Sequence, residues 1–266
     1  MLTCDEKPDS KSSESGLEFL YKYYSLNERN AHHRERIFTH NELYFPSPRV
    51  FNDPFDSKIQ LVFDGSKVEW ERYLREVYKK FRPGLNRKQR LAEVRMKMRG
   101  KRYKRLPEGM ANSYLDEMGV FCMSEVKDQI LMWAHYGEGH TGFCLEFRAT
   151  STTPFFGKAQ KIKYSEVYPS VNFFKSSRRA QMEATLLTKA ELWCYEKEWR
   201  IIEHERGAGT YSFPPELITG VIIGCQMPDE NKNKIIEWVE NRNPRPTLYK
   251  AEVKEREFGL DIEKLN

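Results

Sequence analysis

Apolar and polar positions alternate along this chain in a way that marks many short strand-like runs and a few helical ones. Glu18–Tyr24 (E-F-L-Y-K-Y-Y) is aromatic-rich and predicts a buried strand. The polar run S-L-N-E-R-N follows, where Ser25 or Asn27 can cap a helix over Glu28–Thr39. Glu42–Phe45 reads as a short strand. The stretch P-S-P-R-V-F-N-D-P-F-D-S carries three prolines, which fix φ and restrict the residues before them, so it reads as a rigid loop. Trp70, Leu74, Val77, Tyr78 and Phe81 keep helical spacing; Pro83-Gly84 ends that helix, and a second is expected over Asn86–Arg99.

Further along, Gly119–Ser124 predicts a buried strand, and a helix ending near Gly137 follows it. Strands are expected at Gly142–Phe147 and Lys161–Tyr164, then a long helix over Phe173–Trp193 with Met182, Leu186, Ala190 and Trp193 on one face. Leu217–Gly224 and Thr247–Val253 read as strands on either side of a helix over Pro228–Val239, which has Pro228 near its start and acids in its first turn. Strands dominate, without regular βαβ alternation. The expected class is α+β: a mixed or antiparallel central sheet with flanking helices and a helical insertion over about residues 65–106. Residues 17–266 form one domain in this reading, after a polar, disordered tail over residues 1–16.

Composition changes this picture only at a few points. Aromatic residues make up 13% of the 266, which suits a packed core, while 31% are charged. The five cysteines include no C-x-x-C pair and read as buried reduced thiols of a cytoplasmic protein. The N-terminus has no apolar core of a signal peptide, and no run approaches the ~20 apolar residues of a membrane span. The net charge of +5 is unevenly spread. Between Lys79 and Arg105 there are thirteen Lys or Arg and one acid, Glu93, so this basic hairpin favours an anionic partner such as nucleic acid.

The densest candidate chemistry lies in Lys189–Ile202, K-A-E-L-W-C-Y-E-K-E-W-R-I-I. On a strand, Glu196, Glu198 and Arg200 would share one face, and Tyr195, Lys197 and Trp199 the other. Two carboxylates so close tend to drive one pKa up unless a cation stands nearby, with Arg200 or Lys189 available as partners. Potential metal ligands are His135, His140, Glu146, Asp53 and Asp56, but no zincin spacing and no cysteine pair occur, and no metal is expected. There is no nucleophile elbow and no phosphate-cradling glycine loop, which disfavours α/β-hydrolases, P-loop NTPases and Rossmann enzymes. Asn52 and Asp53 suit a site in the proline loop or an Asx turn; Ser124 suits a site or a helix cap.

Four stretches occur in order: L-Y-K-Y-Y-S-L; F-P-S-P-R-V-F-N-D-P-F-D; F-C-M-S…L-M-W-A-H-Y-G-E-G-H-T-G-F-C-L-E-F; and W-C-Y-E-K-E-W-R-I-I. Together they resemble the bacterial family catalogued as domain of unknown function 2971, over Leu20 to about Gly224. A second, weaker similarity is to the ADP-ribosyltransferase fold. In those enzymes a first strand bears Arg or His, a second bears Ser or an aromatic, and a late strand bears the catalytic Glu, often as E-x-E. The order here is Tyr21-Lys22-Tyr23, Ser124, then Glu196-Lys197-Glu198, with Lys22 where Arg or His is usual.

That resemblance implies NAD as substrate, cleaved at its nicotinamide–ribose bond. Glu198 would stabilise the oxocarbenium-like charge, Glu196 would orient or deprotonate the acceptor, and Lys22 would contact the diphosphate. Tyr44 or Trp133 would stack on nicotinamide, with Tyr21, Asn52, Asp53, His135 and Tyr136 completing the pocket and Ser124 joining the catalytic set. A bacterial defence or toxin role, with the basic hairpin holding a nucleic-acid or other anionic acceptor, goes with this reading. Two alternatives stay open: a non-catalytic nucleic-acid or anion-binding module, and a metal-dependent hydrolase built on Asp53, Asp56, His135 and Glu198.

Overall fold

The computed structural model describes residues 16–99, 115 and 117–265. The tail expected to be disordered lies outside these residues except for Gly16, as does the end of the basic segment, Lys101–Arg105. In chain order the elements are β1 (Phe19–Tyr24), α1 (Ala31–Thr39), β2 (Glu42–Phe45), β3 (Gln60–Val62), α2 (Lys67–Phe81), α3 (Arg87–Met98), β4 (Gly119–Ser124), α4 (Ile130–Tyr136) and β5 (Phe143–Arg148). There follow β6 (Gln160–Lys161), β7 (Lys163–Ser165), β8 (Ser170–Asn172), α5 (Arg178–Leu186), β9 (Thr188–Ala190), β10 (Glu198–Glu203), β11 (Gly209–Ser212), β12 (Ile218–Ile223), α6 (Asp229–Glu240), β13 (Thr247–Val253) and β14 (Leu260–Lys264).

Eight strands make the central sheet, in the order β14-β13-β12-β5-β1-β4-β10-β6. Only β12–β13 is parallel, so the sheet is mixed and the fold α+β. Because side chains alternate along each strand, the register sorts the sheet into two faces. Leu20, Phe121, Met123, Leu145, Phe147, Trp199 and Ile201 fall on one face and join Ile37 and Phe38 of α1 and Ile235 and Val239 of α6 in the main core. Each such side chain removed from water contributes about 1.5–3 kcal/mol. Tyr21, Tyr23 and Cys144 fall on the other face, where Met132 and Trp133 of α4 cover them. Ser124, Glu198, Cys122 and Arg200 share that second face.

The helical insertion stands apart from this sheet. Ser66 and Asn86 each close a capping box, with Glu69 and Gln89, which explains why both helices start where the pattern placed them. Trp70 is fully buried and packs edge-on against Phe174, beside Phe63, Tyr73 and Phe173. The small parallel pair β3–β8 supports this aromatic cluster.

Three expectations need correction. The strand expected at Lys161–Tyr164 is broken at Ile162 into β6, paired with β10 in the central sheet, and β7, paired with β9 outside it. The helix predicted over Phe173–Trp193 runs only from Arg178, capped by Ser177, to Leu186, after which Thr188–Ala190 is captured as a strand by β7 and Glu191–Glu196 forms a 3₁₀ turn. Apolar residues at i, i+4, i+8 and i+11 fit one long helix, but the Leu187 carbonyl accepts from the Lys163 N–H and ends it. The thiols are not all reduced either: Cys194 is disulfide-bonded.

The turn between α4 and β5 ties the sheet together through Gly142. Its N–H donates to the Gly137 carbonyl and its carbonyl accepts from Gly224. A Cβ on Gly142 would stand 2.1 Å from the Tyr24 carbonyl oxygen, a backbone atom that cannot swing away. Gly142→Ala is therefore expected to cost about 1–3 kcal/mol, read as a lower urea midpoint at unchanged slope.

Candidate functional site

Strands β1 and β4 meet at one rung only, Tyr21 opposite Ser124. On its other side β1 pairs along its full length with β5, and β4 does the same with β10. At its far end β4 is held by the proline loop, whose Pro46 carbonyl accepts from the Val120 N–H at 2.9 Å. The sheet thus forks between β1 and β4. A cavity of about 530 Å³ occupies the fork and is lined by Lys22 and Tyr23 from one strand and Val120–Met123 from the other. That volume is in the range of small-molecule sites, about 300–1,000 Å³.

The wall beneath the fork is a buried charge cluster. Arg200 is fully buried; its Nη1 and Nη2 donate to the two Asp56 oxygens at 3.0 and 2.6 Å, and its Nε donates to Glu198 Oε1 at 2.7 Å. Lys189 Nζ bridges the two glutamates, at 2.5 Å from Glu196 Oε2 and 3.0 Å from Glu198 Oε2. Tyr136 Oη donates to Glu196 Oε1 at 2.8 Å, and the Glu198 N–H donates to Tyr164 Oη at 2.7 Å. Phe51 lies against the Arg200 guanidinium, with 5.2 Å from Cζ to the ring centroid. Three carboxylates against two cations leave one net negative charge, enclosed where water screens it little.

The two glutamates are driven in opposite directions. For Glu198, burial favours the neutral acid, but the Arg200 and Lys189 cations outweigh it and hold the carboxyl far below the usual carboxylate range. For Glu196, burial dominates over Lys189 and raises the pKa. Across the fork, burial lowers the Lys22 pKa, and the Lys22 amine makes no hydrogen bond or ion pair within the described residues. It lies 5.2 Å from the Phe121 centroid. Arg34 of α1 also lines the cavity, stacked 4.4 Å from the Tyr24 centroid with its Nε donating to the Ser25 carbonyl.

Local chain chemistry explains the convergence of the acids. Glu196 is not on the strand: it ends the 3₁₀ turn, and Lys197 takes a left-handed conformation (φ 43°) before β10 begins at Glu198. The two carboxylates still meet on Lys189, but through a turn and not through strand alternation. Glu198 and Arg200 do share a strand face as expected, and Trp199 points the other way, donating to Glu125 Oε1 at 2.7 Å.

Most of the residues expected from the sequence line the cavity: Tyr21, Lys22, Tyr44, Asn52, His135, Tyr136, Glu196 and Glu198. Three do not. Ser124 is buried; its Oγ donates to the Glu196 carbonyl at 2.6 Å and accepts from the Val126 N–H, so it holds the turn that carries Glu196. Trp133 is fully buried against Tyr23 with its Nε1 donating to the Lys127 carbonyl, and cannot stack on a ligand. Asp53 forms the Asx turn, accepting from the Phe55 N–H at 2.8 Å, and lies away from the cavity. Arg34, Cys122 and Phe121 were not foreseen there; nothing local in α1 separates Arg34 from its neighbouring surface cations. Burial pushes the Cys122 thiol far up, which keeps it a poor nucleophile. Within the described residues no three His, Cys, Asp or Glu side chains are grouped to hold a metal, and no helix is long and apolar enough to cross a membrane.

Residues 132–201 match the model of a family described as "Protein of unknown function (DUF2971)". That stretch runs from the middle of α4 to the middle of β10 and so carries Tyr136, Lys189, Glu196, Glu198 and Arg200. No curated protein and no solved structure matches the chain.

Removing one member of the cluster should expose its energetics. Arg200→Met leaves Asp56 and Glu198 without the guanidinium and is expected to cost about 3–5 kcal/mol. Glu198 has a depressed folded pKa, so its contribution is complete above the unfolded value and is lost as pH falls. The stability gap between the native chain and Arg200→Met should therefore narrow below about pH 4. Urea unfolding at several pH values checks both the gap and its sign.

Proposed function

We propose that the fork binds a nicotinamide dinucleotide and that the acid pair cleaves its nicotinamide–ribose bond, in the manner of an ADP-ribosyltransferase. The observation that carries this reading is the pair of cavity-lining carboxylates whose environments drive their pKa values apart, a recurrent sign of divided acid–base labour. The row Tyr21–Ser124–Glu198 across three adjacent strands adds to it, because it brings the three strands that carry the resembling motifs side by side.

In this mechanism Glu198 is a fixed anion. Both of its oxygens already accept from Arg200 or Lys189, so it supplies field and not proton transfer. The cluster's net negative charge stabilises the positive charge that develops on the ribose as the C–N bond breaks. Glu196 takes the proton of the attacking water or acceptor hydroxyl while nicotinamide departs as the neutral amide. Lys22 and Arg34, across the fork, hold the diphosphate, and the exposed Tyr44 ring closes over a base at the mouth.

A second reading keeps the ligand and drops the chemistry. The complete hydrogen bonding of Glu198 favours a binding module in which the acids only brace Lys189 and Arg200. One experiment separates the two. Purified full-length chain is incubated with NAD while nicotinamide release and binding heat are measured in parallel. Turnover should fall about 10²–10³-fold in Glu198→Gln, and Lys22→Met should raise KM more than it lowers kcat. Turnover by Glu196 should rise with pH through a value above the free carboxylate's ~4.3. Binding heat without release in the native chain selects the module, and full turnover in a folded Glu198→Gln removes the catalytic role.

A further inference from the structure

The charge of this protein is segregated. Residues 79–99 contain nine Lys or Arg and one acid, Glu93, a net +8 in a chain whose total is +5, so the remainder is net −3. Lys79, Lys80, Arg82, Arg87, Lys88, Arg95, Lys97 and Arg99 are all exposed. None of these eight takes part in an ion pair within the described residues, whereas α5 and α6 each pair one of their two cations along the helix, Arg179 with Glu183 and Lys234 with Glu230. Keeping so many like charges together on two packed helices costs self-repulsion that an anionic partner would relieve.

We propose that the α2–α3 hairpin is a docking surface for the phosphate backbone of a nucleic-acid duplex. Lys88, Arg95 and Arg99 stand at i, i+7 and i+11, which sets three exposed cations along one flank of α3 over about 16 Å. That is a row suited to successive phosphates, which carry one charge per ~3.4 Å of axis on each strand. The apolar side of the hairpin is already used: Leu74 and Val94 are buried and Trp70 is packed in the aromatic cluster beneath. Outward, the exposed apolar residues Val68, Phe81 and Met96 are interspersed in sequence with charged residues, not arranged as the continuous apolar face that an interfacial membrane helix inserts. One exposed ring is also too few for the stacking by which single strands are held. Charge along a rigid helix pair thus points to the duplex backbone, without base readout. The surface is distinct from the fork and does not depend on the chemistry proposed there.

The test uses the full chain and a fluorescently labelled duplex DNA of random sequence, with anisotropy read as salt rises. The triple variant Lys88→Gln, Arg95→Gln, Arg99→Gln is compared with a control that removes the same charge elsewhere, Arg29→Gln, Lys163→Gln, Arg256→Gln, all six sites being exposed. The native chain and the control should bind with a steep salt dependence, and the log–log slope should fall by about 2.7 in the hairpin variant, about 0.9 for each lost phosphate contact. Circular dichroism checks that both variants fold. Absence of binding at low salt, an unchanged slope in the hairpin variant, or an equal loss in the control would overturn the proposal. So would tighter capture by anionic phospholipid vesicles or polyglutamate than by the duplex.

Discussion

A buried arginine cannot shed its proton, so everything around Arg200 is arranged to keep its charge paired. Asp56 meets it from the proline loop, Glu198 from two residues upstream, and the Leu186 carbonyl from the end of α5. Three separate stretches of chain are thereby pinned to one guanidinium, and Lys189 links the same cluster to the turn bearing Glu196. Such a cluster returns little net stability, because desolvating five charges offsets most of their attraction. What it does supply is placement: every member is paired with at least one other, so moving any of them weakens a pairing elsewhere in the cluster.

That constraint explains the geometry of the cavity. The sheet opens between β1 and β4 because the two strands share one rung and then follow different partners, β1 toward β5 and β4 toward β10 and the Pro46 loop. A gap in a sheet would ordinarily close on apolar side chains. Here the charged cluster on one side and Lys22 and Arg34 on the other keep it polar, while Phe121, Phe51 and Tyr44 supply the flat surfaces. The family match covers the elements that carry most of the cluster, and excludes β1, the proline loop and the basic hairpin. Anion binding in the fork and docking of a polyanion on the hairpin would then be separable properties of one chain.

Much of the fold was legible in the residues. Glu42–Phe45, Gly119–Ser124 and Thr247–Val253 are strands at the expected bounds, since alternation, aromatic content and flanking Pro or Gly all agree there. Apolar spacing and the Pro83-Gly84 break located both hairpin helices, and the capping boxes at Ser66 and Asn86 fix their starts. Where local signals conflicted with partners distant in sequence, the partners prevailed. Thr188–Ala190 continues a helical pattern yet pairs with β7, and Glu196 has strand spacing from Glu198 yet lies in a turn locked by Ser124. The three-residue strands β3 and β8 carry too few residues for any period to show.

The same division holds at the site. Strand spacing by itself determined that Glu198 and Arg200 would share a face, whereas the turn that brings Glu196 and Lys189 to them was set by tertiary pairing. Residue type alone set the one-sided charge of the hairpin. Only the tertiary structure decided that Asp56, 144 positions away, would complete the pairing of Arg200, and that Arg34 would reach the cavity. It also decided that Trp133 would turn into the core while Tyr136, three residues on, faces the acids. Those outcomes depend on which strand lies beside which, and strand order is set by the sum of packing over the whole sheet and not by any one stretch of it.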